Sequence, residues 1–225
     1  MNELSPAQRV MHEVYNMQSG LENPAEWLHY QFSGGRTATG ETMNHWKALG
    51  LPAVWSAVQM MAGHIGMIPI DLKKPKSEGG FESLNRHAAL RVLNEVPNEI
   101  MTAHTFKESL MMHALIYGNG YAWIERNRYN RPLSLILIPP ENVNIRMVEG
   151  QKMVDFWLDP NYMPPEVTGS TWYSIPHNDV FHLPGLSWNG IQGLSMIHIL
   201  KNVLGIDLAG QDSTATTFRN NGRPG

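Results

Sequence analysis

Between Thr105 and Pro140 the spacing of apolar positions changes period within one continuous run, TFKESLMMHALIYGNGYAWIERNRYNRPLSLILIPP. Phe106, Leu110, Ala114 and Tyr117 recur at about 3.6 residues, which predicts a helix with one apolar face. Thr105 followed three residues later by Glu108 fits a capping box, placing the helix start near Phe106. Gly118 stands where a left-handed residue ends a helix. The period then drops to two: Tyr121, Trp123 and Glu125 share one face of a predicted strand, and Ala122, Ile124 and Arg126 the other. The polar run Asn127 to Pro132 predicts a turn into a second strand, Leu133 to Ile138, ended by Pro139 and Pro140.

The same reading extends along the chain. Ser5 and Pro6 mark the start of a lead-in helix with Val10, Val14 and Met17 on one face and Gly20 beyond its end. From Leu21 to Gly50 the periodicity fades, and Ser33 to Gly40 carry too little apolar surface to offset their ordering entropy, so this is a mobile arm or linker. Trp27, Phe32 and Trp46 flank it, suiting an arm that docks on a neighbour or on its own domain. Pro52 to Ile65 predicts a helix whose Trp55, Val58, Met61, Ala62 and Ile65 form a core stripe. Met67 to Leu72 is a predicted short strand, KKPKSEGG a turn, and His87 to Val96 a third helix stopped by Pro97 and Asn98. Val143, Ile145 and Met147 alternate with Asn144, Arg146 and Val148, and further strands are predicted at Met153 to Leu158, Trp172 to Ile175 and Val180 to Leu183, with a proline-rich loop at Asp159 to Ser170. Ser195 opens a long helix reaching about Phe218, roughly 35 Å at 1.5 Å per residue. Gly205 and Gly210 weaken it by roughly 1 kcal/mol each, which suits a bend or close packing. The fold class is α+β: a meandering antiparallel sheet packed with several helices, leading into a long C-terminal helix. The organisation is an N-terminal helix and arm (1–50), an α+β domain (51–190) and the long helix (191–225).

Composition narrows the function classes. A chain of 225 residues, 42% hydrophobic, can bury a sizeable core. Its net charge of −3 argues against tight sequence-independent nucleic-acid binding, which needs many cations to displace counterions. There is no cysteine, so disulfides and thiolate metal sites are excluded. The N-terminal residues lack a signal-peptide pattern, and no run of about 18 apolar residues offers a membrane span.

Candidate chemistry is sparse. Among ten histidines, His177 and His182 with Asp179 come nearest to a ligand cluster, but Asp179 and His182 have the odd separation that points them to opposite faces of a strand. They define an alternative, a soluble metal-dependent hydrolase; a module docking peptides on a sheet edge is another. His104 and His113 are two and a half turns apart and fall on opposite faces. Gly118-Asn119-Gly120 follows a helix and precedes a strand, the reverse of a phosphate-cradling loop. Ser195 sits in Gly-Leu-Ser-Met-Ile, which lacks the second glycine of a nucleophile elbow. No catalytic set, metal site or cofactor is assigned, and the chain is read as a non-enzyme.

Three blocks, in order, resemble the portal proteins of long-tailed bacteriophages. They are the Pro52 to Leu72 segment ending IGMIPIDL, the segment NEVPNEIMTAHTFKESLMMHALIYGNGYAWIERN, and NDVFHLPGLSWNGIQGLSMI leading to FRNNGRPG. The resemblance covers Leu51 to Gly225. It departs from the family at Met196, where proline usually follows the serine, and in stopping before the further stem and clip segments, so the chain is expected to be a truncated form holding the peripheral wing and the start of the stem. The resemblance implies a ring, usually of twelve subunits, at one capsid vertex of the virion, assembled in the host cytoplasm. Double-stranded DNA passes through it without sequence reading, and the terminase motor, head-tail connector and major capsid protein are its partners; no membrane is involved. A closed ring needs a donor and an acceptor patch on every subunit, and the arm before Leu51 is a candidate for one. The structural residues expected to matter are Gly118, Asn119 and Gly120 at the helix-to-strand turn, and Gly193 and Ser195 at the start of the long helix. Lys201, Arg219 and Arg223 are the residues expected nearest the DNA channel.

Overall fold

The computed structural model describes residues 37, 43–159, 172–187, 190–220 and 222. The lead-in helix from Ser5, Trp27, Phe32, nearly all of the proline-rich loop and Arg223 lie outside them. The chain divides into two compact units, one of residues up to Ala48 together with those from Leu200 onward, the other Leu49–Ile199.

In the larger unit the first long helix, α2 (Pro52–Met67), follows a short α1 (His45–Leu49) and starts with proline in its first turn, where the missing N–H costs nothing. A small hairpin, β1 (Lys73–Pro75) and β2 (Phe81–Ser83), precedes α3 (Ala88–Asn94) and α4 (Ala103–Tyr117). Six strands follow: β3 (Asn119–Arg126), β4 (Pro132–Ile138), β5 (Val143–Val148), β6 (Gln151–Trp157), β7 (Trp172–Pro176) and β8 (Val180–Pro184). The last helix, α5 (Met196–Arg219), begins in this unit and continues in the other.

Among the described residues every strand pair is antiparallel, and β3 to β8 form two three-stranded sheets of order β4-β3-β8 and β5-β6-β7. The first is not a simple meander, because β8 returns beside β3, with Tyr121 opposite His182 and Trp123 opposite Val180. The period-two pattern of β3 explains the layering. Tyr121 and Trp123 face the second sheet with Ile136, Ile138, Val154, Phe156 and Val180, where Phe156 stacks on Tyr173 with centroids 5.3 Å apart and the Trp123 ring packs tilted against both at 6.0 and 4.9 Å. Ala122 and Ile124 face the helices, joining Val92, Leu93, Phe106 and Leu110 in a separate core. The unit is therefore three layers, helices on sheet on sheet, and both faces of the central sheet are apolar because both are covered.

Four local expectations are corrected. The cap of α4 is Thr102, not Thr105: Thr102 Oγ1 accepts from the Thr105 N–H at 3.2 Å, so the helix gains a turn upstream. Met67 to Leu72 is not a strand. Met67 closes α2, and the backbone at Ile70 is satisfied by one side chain, Asn94, whose Oδ1 accepts from the Ile70 N–H and whose Nδ2 donates to the Ile70 carbonyl, both at 2.8 Å. The third helix is shorter than His87 to Val96, with His87 acting as its cap by accepting from the Ala89 N–H at 3.2 Å. Finally, the stripe assigned to the core on α2 is mostly outside it. Val58, Ala62 and Gly66 are buried, whereas Trp55 is 51% and Met61 44% exposed. The contact side of α2 carries small residues; a Cβ on Gly66 would lie 3.1 Å from the His104 ring of α4. Small residues allow close helix approach along a narrow strip, leaving the large side chains outside.

In the smaller unit Met43, His45, Ala48 and Leu204 are buried. Gly205 of α5 is needed there for space, since a Cβ would come within 2.6 Å of the Thr37 side chain, while Gly210 has nothing within 4 Å.

Candidate functional site

The turn after α4 is built from the sequence outward. Gly118 ends the helix with φ 79°, a left-handed conformation that only glycine adopts without strain. This reversal sends the chain into β3 with Asn119 as its first residue, and Asn119 is 4% exposed. Its amide reaches a segment 74 residues away: Nδ2 donates to the Gly193 carbonyl at 2.9 Å, and Oδ1 accepts from the Gly193 N–H at 2.7 Å. Oδ1 also meets His182 Nε2 at 3.0 Å, which requires that nitrogen to carry the proton. The imidazole stacks on Tyr121, with centroids 4.5 Å apart.

The segment before α5 is bound to the same place. The Gly185 N–H donates to the Gly118 carbonyl at 2.8 Å, and Gly193 pairs with Ser187 in an isolated bridge. Ser195 works in two directions: its hydroxyl donates to the Ile116 carbonyl at 2.9 Å and accepts from the His198 N–H at 3.3 Å. It thus satisfies an orphan carbonyl at the end of α4 and an orphan N–H at the start of α5. The end of one helix and the beginning of another are joined at one point through Asn119, Gly193 and Ser195.

Glycine is required there by space as well as dihedral angle. A Cβ on Gly193 would lie 1.8 Å from the Gly118 carbonyl oxygen, one on Gly118 2.4 Å from the Leu194 backbone, and one on Gly120 2.4 Å from the Leu110 carbonyl oxygen. Gly118, Asn119, Gly120, Gly193 and Ser195, singled out as two separate groups in the sequence, come together in a single corner. Sequence reasoning missed His182 as the third partner of Asn119, and Gly185. No local signal links positions so far apart; only the small residues of LPGLSW hinted at close backbone approach.

The alternative ligand set does not assemble. Asp179 is engaged by Arg126, whose Nε lies 2.7 Å from its carboxylate, and the His177 and His182 rings meet edge to face at 6.0 Å. Among the described residues no three histidine or acidic side chains gather as metal ligands. Of the residues proposed nearest DNA, Lys201 is half-buried and Arg219 exposed on α5. Eighteen residues separate them, about five helical turns, so they share one face roughly 27 Å apart.

Burial lowers the pKa of His182 to about 4, with Lys152 and His177 adding to the effect, and burial alone lowers His113 on α4 to about 4. Both rings are neutral when folded and titrate near the ordinary 6.5 once unfolded, so unfolding takes up protons below that pH. Stability is expected to be full above about pH 6.5 and to fall as the pH drops toward 4. Thermal melts at pH 7.0, 6.0, 5.0 and 4.5 should show this decline, and His113→Leu should flatten it. A melting temperature independent of pH over that range would rule it out.

Residues 52–225 match the family model for phage portal protein. The chain is 25% identical over 180 residues to the portal protein of Enterobacteria phage HK97, covering 80% of this chain and 40% of that protein. The fold resembles a chain of the virion of a native gene transfer agent (GTA) particle, with TM-score 0.60 and 17% identity, covering 96% of this chain and 52% of that one. A chain from the neck of a native GTA particle with C12 symmetry gives TM-score 0.57 at 15% identity, with the same coverage. An HK97 family phage portal protein from Corynebacterium diphtheriae gives TM-score 0.50 at 16% identity, covering 83% of this chain and 52% of that one. The chain thus spans about half or less of the length of these relatives.

Proposed function

Since the chain belongs to the phage portal protein family, we propose that it acts as a non-enzymatic subunit of a closed ring at one capsid vertex of a virion. Double-stranded DNA passes through this ring during packaging and ejection, and the terminase motor, head-tail connector and major capsid protein dock on it. The family match across residues 52–225 carries this reading. The α+β unit corresponds to the wing and α5 to the start of the stem. A weakly acidic chain of net charge −3 suits a channel along which DNA slides, because it offers no regular trap for phosphates. In this reading Lys201 and Arg219 of α5, with Arg223 after it in the sequence, are the residues nearest that DNA. The Asn119 corner has a structural role, holding the start of α5 to the wing.

A ring also accounts for the apolar surface of α2, where Trp55, Met60, Met61 and Met67 are exposed. Large apolar side chains left exposed on a folded unit suit an interaction surface, and a neighbouring subunit is their occupant in this reading. The test is particle symmetry: the longest natural form of the protein, purified and viewed by electron microscopy, should give closed rings of a single rotational symmetry, twelve subunits being expected. Trp55→Lys should lower the ring yield several-fold with the melting temperature of the unit unchanged. Monodisperse monomers of the longest form, or open filaments, would overturn the reading.

A further inference from the structure

The larger unit holds a cavity of about 580 Å³ that no residue of the Asn119 corner lines. Its floor is a row of apolar side chains across the central sheet: Leu135 of β4, its register partner Ile124 of β3, and Phe181 of β8. Ala89, Val92 and Leu93 of α3 form one wall. The rim is basic, made by Arg86 and His87 before α3 and by Arg126 and Arg131 of the β3–β4 hairpin, and no carboxylate lines the cavity.

The rim is held in place before any ligand arrives. Asn127 Oδ1 accepts from the Tyr129 and Arg131 N–H groups at 2.9 and 3.0 Å, closing the turn that presents Arg131. Arg126 is fixed by Asp179 and by the Asn178 carbonyl. His87 uses Nδ1 to cap α3, which leaves Nε2–H as a donor. Half of the chain's ten arginines, Arg86, Arg91, Arg126, Arg128 and Arg131, lie on α3, the residue before its cap, and this hairpin, whereas its seven lysines all lie elsewhere. Arginine is the cation whose forked donors match a carboxylate in two places. In a chain of net negative charge, the three of those arginines that line the cavity, Arg86, Arg126 and Arg131, are a local inversion of the surface, with Arg126 already paired to Asp179.

We propose that this cavity is a docking site for an acidic segment of a partner protein, with one large apolar side chain seated on Ile124, Leu135 and Phe181 and flanking carboxylates on Arg86 and Arg131. The volume fits a few side chains, the floor rewards burial of an apolar group, and the rim selects negative neighbours. Addition of a strand to β4 is not the mode, because the outer edge of β4 is occupied at Leu135, whose N–H donates to the Pro97 carbonyl at 2.7 Å and whose carbonyl accepts from Asn98 at 2.8 Å. This site is independent of the ring reading and stands or falls on its own test.

The test uses the whole chain and three capped fluorescent peptides of sequence Glu-Asp-Phe-Glu-Asp, Glu-Asp-Gly-Glu-Asp and Lys-Arg-Phe-Lys-Arg, followed by anisotropy at low and physiological salt. The acidic phenylalanine peptide should bind, weaken with salt, and outbind each of the others at least about fivefold, the scale of one rim ion pair or one partly buried apolar group. Arg131→Glu, on the exposed hairpin, should weaken it about fivefold to tenfold with the melting temperature unchanged. A second variant, Arg86→Glu, probes the other rim and should act in the same direction. Equal binding of the three peptides, no binding of the acidic one, insensitivity to both variants, or displacement by duplex DNA in preference to the acidic peptide would each overturn the proposal.

Discussion

Gly193→Ala should lower the melting temperature by roughly 6–20 °C, from a loss of about 3–5 kcal/mol. The added methyl would sit 1.8 Å from the Gly118 carbonyl oxygen and 2.7 Å from the Gly185 nitrogen. Both are backbone atoms, so no side chain can swing aside. Relief requires the Gly193 strand to move off the corner, which breaks its two hydrogen bonds with the Asn119 amide and leaves a buried amide without partners. Gly118→Ala should cost a similar amount by another route, adding a positive φ of 79° to contact with the Leu194 backbone at 2.4 Å. Gly210→Ala is the control: α5 has nothing within 4 Å of that position, so the exchange should raise stability by up to about 1 kcal/mol through helix propensity. Thermal melts of the three variants decide the matter. A Gly193→Ala protein that melts like the parent would show that the corner is far looser than its distances indicate.

Asn119→Ala is the second large effect expected, about 2–4 kcal/mol, because it removes the shared partner of three groups at once. The Gly193 N–H and carbonyl and His182 Nε2 all meet that one amide, and alanine offers none of them anything. Asn119→Asp separates shape from hydrogen bonding. It keeps the acceptor for Gly193 and His182 but places a carboxylate oxygen against the Gly193 carbonyl, so it too should destabilise, and it should raise the His182 pKa because a negative charge favours the imidazolium. The His182 resonances followed by NMR between pH 3 and 7 report this directly. If Asn119→Ala melted within about 1 kcal/mol of the parent, the three hydrogen bonds would not be what joins α4 to α5. In the proposed ring, loss of the corner should also lower assembly, so ring yield measured on the longest form would fall before the larger unit itself unfolds.

Much of the local structure was legible in the sequence. The change of period after Gly118 marks α4 and β3 because side-chain spacing records which face of an element is buried, and the left-handed turn at Gly118 follows from the helix stopping where a residue without Cβ stands. The start of α4 was less secure, since Thr102 and Thr105 both carry a hydroxyl fit for capping, and only the geometry shows which N–H is reached. The false strand at Met67 to Leu72 has a similar origin. An apolar run looks extended to a pattern, but its backbone partners are the end of α2, the Asn94 amide, Lys107 Nζ and the Leu84 N–H.

The sequence by itself determined the order and type of most elements, the antiparallel α+β class, the glycine-bounded turn after α4, and the family resemblance, because each of these rests on short-range spacing and on residues with special backbone freedom. Only the tertiary structure decided that Asn119 meets Gly193 across 74 residues, that the strands split into two sheets with separate cores, that the large side chains of α2 are mostly exposed, and that Arg86, Arg126 and Arg131 line one cavity. Those outcomes depend on which apolar face finds which partner and on how closely two backbones can approach. These properties belong to pairs of segments and are not written in either one alone.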